Sequence, residues 1–171
     1  MKPTITKIWI ITDTHFNHRK LEEYAGRPSD FETRIMDNLK TMVGNNDLLI
    51  HLGDFCIGQD VYWHTEFHKL PGRKVFVMGN HDQKSVNWYL NHGWYFVCHT
   101  FSLWYGGKKI LFSHIPQEDK GHFDLNVHGH FHNTSHRSQE PEIQKLYNPA
   151  KHKLLAIENT EYKPVLLDSF L

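Results

Sequence analysis

The sequence has little cysteine, no excess of charge of either sign and no long apolar run. Its two cysteines, Cys56 and Cys98, form no CxxC pair, which argues against a disulfide framework. Nineteen basic and 19 acidic residues cancel, so a net positive field that would grip long nucleic acid is absent. We therefore do not expect a long polymer as a partner.

The apolar runs are only a few residues long, too short for a transmembrane helix. The run Ile8–Ile11 stops at Thr12 and Asp13, so it does not fit the core of a signal peptide. We expect a cytoplasmic protein without a membrane partner. With 171 residues, of which 39% are hydrophobic, the chain can bury a core without disulfides, and we expect residues 1–171 to form one domain.

Short β-branched runs predict strands, and segments with helical periodicity lie between the first of them. Phe31, Ile35 and Leu39 fall on one face of a helix that Ser29 or Asp30 can cap and Gly44 can close. This alternation predicts parallel crossovers in the first half and a mixed sheet system overall. The predicted strands are 5–12, 47–52, 74–78, 101–105, 108–113 and 125–128, with weaker candidates at 153–157 and 165–167; the further predicted helices are 60–70 and 85–91.

Histidine is abundant, with 15 residues, and several stand directly after predicted strands. In open α/β sheets, sites form beyond the carboxyl ends of the strands, so side chains that follow separate strands meet at one edge. Five strands here deliver metal-ligating residue types at that end. These residues are Asp13, His15, Asp54, Asn80, His114, His130 and His132.

The chemistry of this set predicts a metal centre. Two carboxylates, one amide oxygen and four imidazoles are too many ligands for one ion, but they suit two ions that share a carboxylate. Mixed nitrogen and oxygen ligands favour Mn, Fe or Zn over structural zinc held by cysteine. Gly53, Gly79 and Gly129 stand where strand becomes loop, where they permit tight turns.

The order of these motifs, DxH, GD, GNHD, H and GHxH, resembles that of the calcineurin-like metallophosphoesterases. The resemblance spans residues 13–132 and no ligand of the pattern is missing. It implies an α/β fold, a four-layer α/β/β/α sandwich of two mixed sheets flanked by helices. It also implies that Asp54 bridges two ions. One ion would be held by Asp13, His15, Asp54 and His132, and the other by Asp54, Asn80, His114 and His130.

The same resemblance gives roles to the neighbours of these ligands. His81 is implied to contact the scissile phosphate or the leaving oxygen, and Asp82 to orient it, with a helix N-cap as the alternative role for Asp82. Asn80 and His81 are the candidate substrate contacts. His18 either touches substrate as well or is a solvated loop histidine.

The expected activity is that of a two-metal phosphoesterase. Manganese is the first choice of ion, with Fe, Zn, Ni or Co as alternatives, and the two ions would convert a shared water into a bridging hydroxide near neutral pH. His81 would protonate the leaving alkoxide or stabilise charge on the phosphoryl group. A chain of this length leaves little room for a cap, which favours phosphodiesters such as nucleotides or cyclic nucleotides.

Two further classes of function remain open. Within enzymes, the chain could be a phosphomonoesterase or a nuclease or RNA-end phosphatase. Outside enzymes, it could be a non-catalytic metal-binding scaffold, against which the complete ligand set and His81 argue.

Most residues outside the motifs are predicted to lie in the core, on the surface or in loops. Arg27 belongs either to a solvated face or to a rim that faces phosphate. Trp104 is expected in the core, whereas His64 and His152 are expected on the surface. The segments 116–124 and 133–140 are polar and aperiodic, which predicts loops.

Overall fold

Two β-sheets, each of mixed direction, form the centre of the fold. The computed structural model describes residues 5–133 and 141–171, and nine strands occur within them. The predicted loop 133–140 lies, apart from its first residue, outside the described residues. The strands are β1 (Ile8–Ile11), β2 (Leu48–His51), β3 (Arg73–Val77), β4 (Phe96–Cys98), β5 (Thr100–Tyr105), β6 (Lys108–Ser113), β7 (Leu125–His128), β8 (His152–Leu154) and β9 (Val165–Leu166). The first sheet has the order β4-β3-β2-β1-β9, and the second has the order β5-β6-β7-β8.

Helices connect the parallel strands of the first sheet. β1 to β4 run parallel, and β9 is antiparallel to β1. In the second sheet β6, β7 and β8 are parallel, and β5 is antiparallel to β6. Carboxyl ends of parallel neighbours lie at a common edge, and this geometry brings the predicted motifs together. The α-helices are α1 (Leu21–Tyr24), α2 (Phe31–Met42), α3 (Asp60–His68), α4 (Val86–Asn91) and α5 (Pro141–Leu146), and two short 3₁₀ helices span Ile157–Thr160 and Leu167–Phe170.

Alternation of side chains along the strands produces two hydrophobic cores. Trp9 and Ile11 of β1 face the helices, where they belong to a core with Ile35 of α2. Ile10 points to the opposite face, where it joins Phe112 of β6 in the core between the two sheets. Burial of both faces explains why the first sheet is made of nearly continuous apolar runs.

This architecture confirms the predicted fold class of two mixed sheets flanked by helices. Buried residues of α2, α3 and α4 pack on the first sheet. On the outer face of the second sheet, Tyr147, directly after α5, packs on His128 and His152. Among the described helices, none has both the length and the apolar character that a membrane crossing requires.

The ends of α2 differ from the prediction. The Asp30 side chain makes no capping hydrogen bond and instead accepts one from Arg34 Nε at 2.8 Å, so local ion pairing replaces the cap. At the other end Val43 is extended, and the Gly44 N–H donates to Asp47 Oδ2 at 2.8 Å. The helix therefore ends without the predicted glycine cap, because Asp47 binds the chain that leaves it.

Three residues outside the motifs also lie elsewhere than predicted. Trp104 is 72% exposed, because β5 is an edge strand and Trp104 is on its outward face. His64 and His152 are buried rather than on the surface. Each ring has hydrogen-bond partners that make burial tolerable: Trp94 Nε1 donates to His64 Nδ1 at 2.8 Å, and His152 Nε2 lies 2.7 Å from the carbonyl oxygen of Gln117.

Candidate metal centre

The loops that leave β1, β2 and β7 bend in the same unusual way. Asp13, His15, Asp54, His130 and His132 all have left-handed backbone conformations, with φ between 46° and 76°. Residues other than glycine rarely adopt this conformation, and such strained positions cluster at functional sites. The bends turn side chains from separate strands toward one place.

Two glycines allow these loops to pack closely. Gly53 has φ 98°, and a Cβ atom there would lie 2.5 Å from the amide nitrogen of Gly79. A Cβ atom on Gly129 would collide with Thr12 Oγ1 and Asp13 Oδ2. Any larger residue at either position would therefore push the strand-end loops apart.

Asp13, His15 and His132 form a first group of candidate metal ligands. Asp13 Oδ1 lies 3.8 Å from His15 Nε2 and 3.9 Å from His132 Nε2. Two atoms that bind the same ion at about 2.0–2.2 Å can be at most ~4.4 Å apart, so Asp13 Oδ1 is correctly spaced to share an ion with either histidine. The other oxygen, Asp13 Oδ2, accepts hydrogen bonds from Thr12 Oγ1 and the His130 N–H, which leaves Oδ1 directed at the group.

Asp54, His114 and His130 form a second group, and Asn80 joins it. His114 Nε2 lies 3.2 Å from Asp54 Oδ2, 3.0 Å from Asn80 Oδ1 and 3.1 Å from His130 Nδ1. His114 Nδ1 lies 2.8 Å from the carbonyl oxygen of Leu52, so it is the donor there and Nε2 is the nitrogen left for an ion.

Asp54 lies between the two groups. Its Oδ2 is 3.5 Å from His15 Nε2 on one side and 3.2 Å from His114 Nε2 on the other. Its Oδ1 accepts a hydrogen bond from the His81 N–H at 2.9 Å. This carboxylate is therefore placed where one oxygen can serve ions in both groups.

Buried polar atoms without partners show that the site fits metal ions. Among the described residues, Asp13 Oδ1 and both ring nitrogens of His15 are buried and make no hydrogen bond. Such atoms are costly to bury unless something binds them. The mixed carboxylate, amide and imidazole donors are those that divalent transition metals accept. The residues thus fit the divalent ions that the motifs predict.

Asp54 and His114 shift each other's protonation. Burial opposes charge on Asp54, but the hydrogen bond and charge of His114 lower the pKa of this carboxyl below its usual range. Burial would also lower the pKa of His114, yet the charges of Asp13 and Asp54 raise it to about 9. Because a ligand must be deprotonated, an ion that binds here must displace the proton of His114.

Residues 6–166 match the sequence model of the calcineurin-like phosphoesterases. The chain belongs to the calcineurin-like phosphoesterase family. This membership confirms the resemblance that the motifs carry, and it implies divalent metal ions.

Two relatives of this phosphoesterase are of similar length. An uncharacterized protein of Methanocaldococcus jannaschii is 28% identical over 177 residues, which cover 96% of this chain and 89% of the relative. A solved structure of a protein of unknown function from Aquifex aeolicus superposes with a TM-score of 0.77 at 26% identity, covering 96% of this chain and 99% of that one. Neither relative has a stated activity, so the functional conclusion depends on the chemistry of the site.

The candidate substrate contacts of the phosphoesterase lie at the mouth of the metal centre. The His81 side chain is 44% exposed, and its Nε2 lies 4.0 Å from Asp54 Oδ2. The ring centroid of His18 is 5.3 Å from that of His15 and 6.4 Å from that of His81. His18 therefore lies at the rim of the site, with a buried Nδ1 that makes no hydrogen bond to described residues. Asn80 is exposed beside the second group.

Asp82 has a different position from the one that the resemblance implied. Its carboxylate accepts hydrogen bonds from the N–H groups of Asp54, Phe55 and Gly79 at 2.7–3.0 Å, so it holds the backbone of the ligand loops rather than the ring of His81. Burial and the charge of Asp54 raise the pKa of Asp82 to about 6 despite these donors. The N-cap alternative is also wrong, because Ser85 accepts from the Trp88 N–H and caps α4.

Sequence reasoning missed a buried pair behind the first group. Glu158 Oε1 lies 2.9 Å from His132 Nδ1 and accepts from Arg27 Nη2 at 2.6 Å. Arg27 also donates to the carbonyl oxygens of Asp13 and Thr14. Arg27 is thus neither on a solvated face nor on a phosphate-facing rim. Glu158 follows β8, which is parallel to β7, so its position after a parallel strand is the signal that could have identified it.

We expect the Arg27→Leu substitution to destabilise the phosphoesterase strongly. The Arg27–Glu158 pair is almost fully buried, at 0% and 4% side-chain exposure, and removal of one member leaves the other charge without a partner. The free energy of unfolding, measured in urea, should fall by about 3–5 kcal/mol.

The matched control is Arg34→Leu, which removes an exposed pair with Asp30 at 52% and 56% exposure. That loss should stay within about 1 kcal/mol. Both variants are measured with chelator, because bound metal would add to the stability of the folded state. Equal losses for the two variants would contradict a supporting role for the buried pair.

Proposed function

We propose that this phosphoesterase hydrolyses phosphodiesters of small nucleotide type with two divalent ions, manganese first. The observation that carries the proposal is the position of Asp54 between two ligand groups, with the half-exposed ring of His81 beside it. In this proposal one ion is held by Asp13, His15, Asp54 and His132, and the other by Asp54, Asn80, His114 and His130.

The ions and the side chains have separate tasks. When bound, two divalent ions supply Lewis acidity that neutralises phosphoryl charge and activates water near neutral pH. His81 can donate a proton to the leaving oxygen or hold charge on the phosphoryl group, because its ring is accessible to substrate and next to Asp54. His18 contacts substrate from the other rim. Asp82 holds the loops after β2 and β3 together, because its carboxylate accepts hydrogen bonds from three of their backbone N–H groups.

The preference for diesters rests on the openness of the site. Asn80 and His81 are exposed, and a cavity of about 330 Å³ adjoins Asn80 and His114. A phosphate bound at the ligand groups can direct one substituent toward this cavity and the other past the exposed ring of His81. The balance of 19 basic and 19 acidic residues supports a small substrate rather than long nucleic acid or a membrane surface. Both cysteines are free, which accords with a cytoplasmic location.

The decisive test is a comparison of two substrates with manganese-loaded protein. The value of kcat/KM for bis-p-nitrophenyl phosphate should exceed that for p-nitrophenyl phosphate by about tenfold or more, a difference of ~1.4 kcal/mol in barrier. Chelator should abolish both reactions. A clear preference for the monoester would favour a phosphomonoesterase. Hydrolysis of short RNA with steep salt dependence would favour a nuclease, and no hydrolysis at all would favour a metal-binding scaffold.

A further inference from the structure

A cavity beside the second ligand group has the features of a binding site of its own. It is open to solvent and has a volume of about 330 Å³, which is in the range of small-molecule sites, and Asn80 and His114 form part of its wall. The remaining wall consists of six residues, of which only Gly79 belongs to the metal motifs: Met78, Gly79, His99, Thr100, Ile115 and Gln117. A substituent of a phosphate bound at the centre would enter this cavity directly.

Gln117 is held rigidly at this wall. Its N–H donates to Asn126 Oδ1 at 2.9 Å, and its carbonyl oxygen lies 2.7 Å from His152 Nε2. Asn126 and His152 are both buried, and Asn126 is itself fixed by Ser113 Oγ at 2.9 Å. This network fixes the backbone of a residue in an otherwise irregular loop, which is the arrangement expected of a residue that positions a ligand.

The side chain of Gln117 has unused hydrogen-bonding capacity. Its Nε2 donates to the carbonyl oxygen of Ile115 at 2.9 Å, which leaves one N–H, and its Oε1 accepts no hydrogen bond from the described residues. A primary amide with one donor and one acceptor in a plane matches the edge of a nucleobase. Met78 and Ile115 supply apolar surface for the faces of the base, and Thr100 supplies a hydroxyl for a sugar oxygen.

We infer that this cavity binds the nucleoside substituent of a phosphodiester and that Gln117 recognises the base. The inference rests on the proposed function and adds to it the cavity and the residue that recognise the nucleoside. A second cavity of about 640 Å³, next to Tyr62 and Trp88, contains none of the ligand residues in its wall. A nucleoside in the cavity beside Asn80 and His114 would instead lie next to the second ligand group.

The test compares two substrates in the manganese-loaded full chain. Thymidine 5′-(p-nitrophenyl phosphate) carries a nucleoside, and bis-p-nitrophenyl phosphate does not. For Gln117→Leu, the ratio of the two kcat/KM values should fall about tenfold, mainly through a higher KM for the thymidine ester, because hydrogen bonds to the base are lost. Thr100→Val should lower the same ratio by a smaller factor. This second variant keeps the β-branched shape that suits β5.

The matched control is Gln59→Leu, the same substitution in the wall of the second cavity, where Gln59 makes no capping hydrogen bond. Its ratio should equal that of the wild type. A lowered ratio for Gln59→Leu alone would place the nucleoside in the second cavity and overturn the inference. Unchanged ratios in all variants, with both substrates hydrolysed, would also overturn it.

A binding measurement separates this inference from the proposed function. In the NMR spectrum of zinc-loaded protein, whose ion is diamagnetic, thymidine 5′-monophosphate should shift the side-chain amide resonances of Gln117, whether or not the protein hydrolyses diesters. A shift in a protein that hydrolyses no diester would support nucleoside binding in this cavity and contradict the proposed activity. The absence of any shift at millimolar ligand would overturn the assignment of the cavity.

Discussion

Asp54→Asn should remove most of the metal and nearly all of the activity. Asp54 Oδ2 lies within 3.5 Å of a histidine nitrogen in each ligand group, His15 Nε2 and His114 Nε2. Asparagine keeps the shape of the carboxylate but not its charge. The amide still accepts the His81 N–H, so the loop should keep its conformation. Since stabilisation by the ions amounts to several kcal/mol, kcat/KM for bis-p-nitrophenyl phosphate should fall by roughly 10³-fold or more.

Elemental analysis after manganese saturation tests the same prediction independently of activity. Wild-type protein should retain two ions per chain, and Asp54→Asn fewer than one. His132→Ala and His114→Ala should each lose chiefly one ion, because each belongs to one group. The control is Asp37→Asn, an exposed aspartate on α2, which should retain both ions. Full metal content and full activity in Asp54→Asn would show that another residue bridges, and at most one ion in the wild type would contradict the two-ion centre.

The loss of hydrolytic rate caused by His81→Ala should depend on the leaving group of the substrate. The His81 side chain is 44% exposed next to Asp54, so its ring can reach a leaving oxygen. An alkoxide such as a ribose oxygen needs a proton, and its release should slow by roughly 10²–10⁴-fold. A p-nitrophenolate leaves without much protonation, so bis-p-nitrophenyl phosphate should be affected far less.

Metal content and a surface control distinguish the possible roles of His81. Both ions should remain bound, because neither ligand group includes this residue. His122→Ala changes an exposed histidine and should leave both reactions unaltered. Equal losses on the two substrates, with the ions retained, would indicate charge stabilisation of the phosphoryl group instead. Loss of an ion would make His81 a ligand.

Local regularities in the sequence were enough to predict most strands and three helices. Apolar alternation and helical periodicity are properties of short segments, so they can be recognised in the sequence without knowledge of tertiary contacts. Elements with weak periodicity were missed, namely the three-residue β4 and the short helices α1 and α5. The exposure of Trp104 was missed for another reason: whether a strand lies at an edge depends on its neighbours in the sheet.

By itself, the sequence determined the family, the fold class and which residue types follow the strands. Parallel strands bring their carboxyl ends to one edge, so the spacing of DxH, GD, GNHD, H and GHxH already implies a common site. What only the tertiary structure decided is how each side chain is held there. Asp82 accepts hydrogen bonds from three backbone N–H groups, two of them in the loop after β2. Arg27 and Glu158 are 131 residues apart in the sequence, yet they form an ion pair that contacts His132. Hydrogen bonds between distant segments leave no periodic pattern, because only the folded backbone sets their partners.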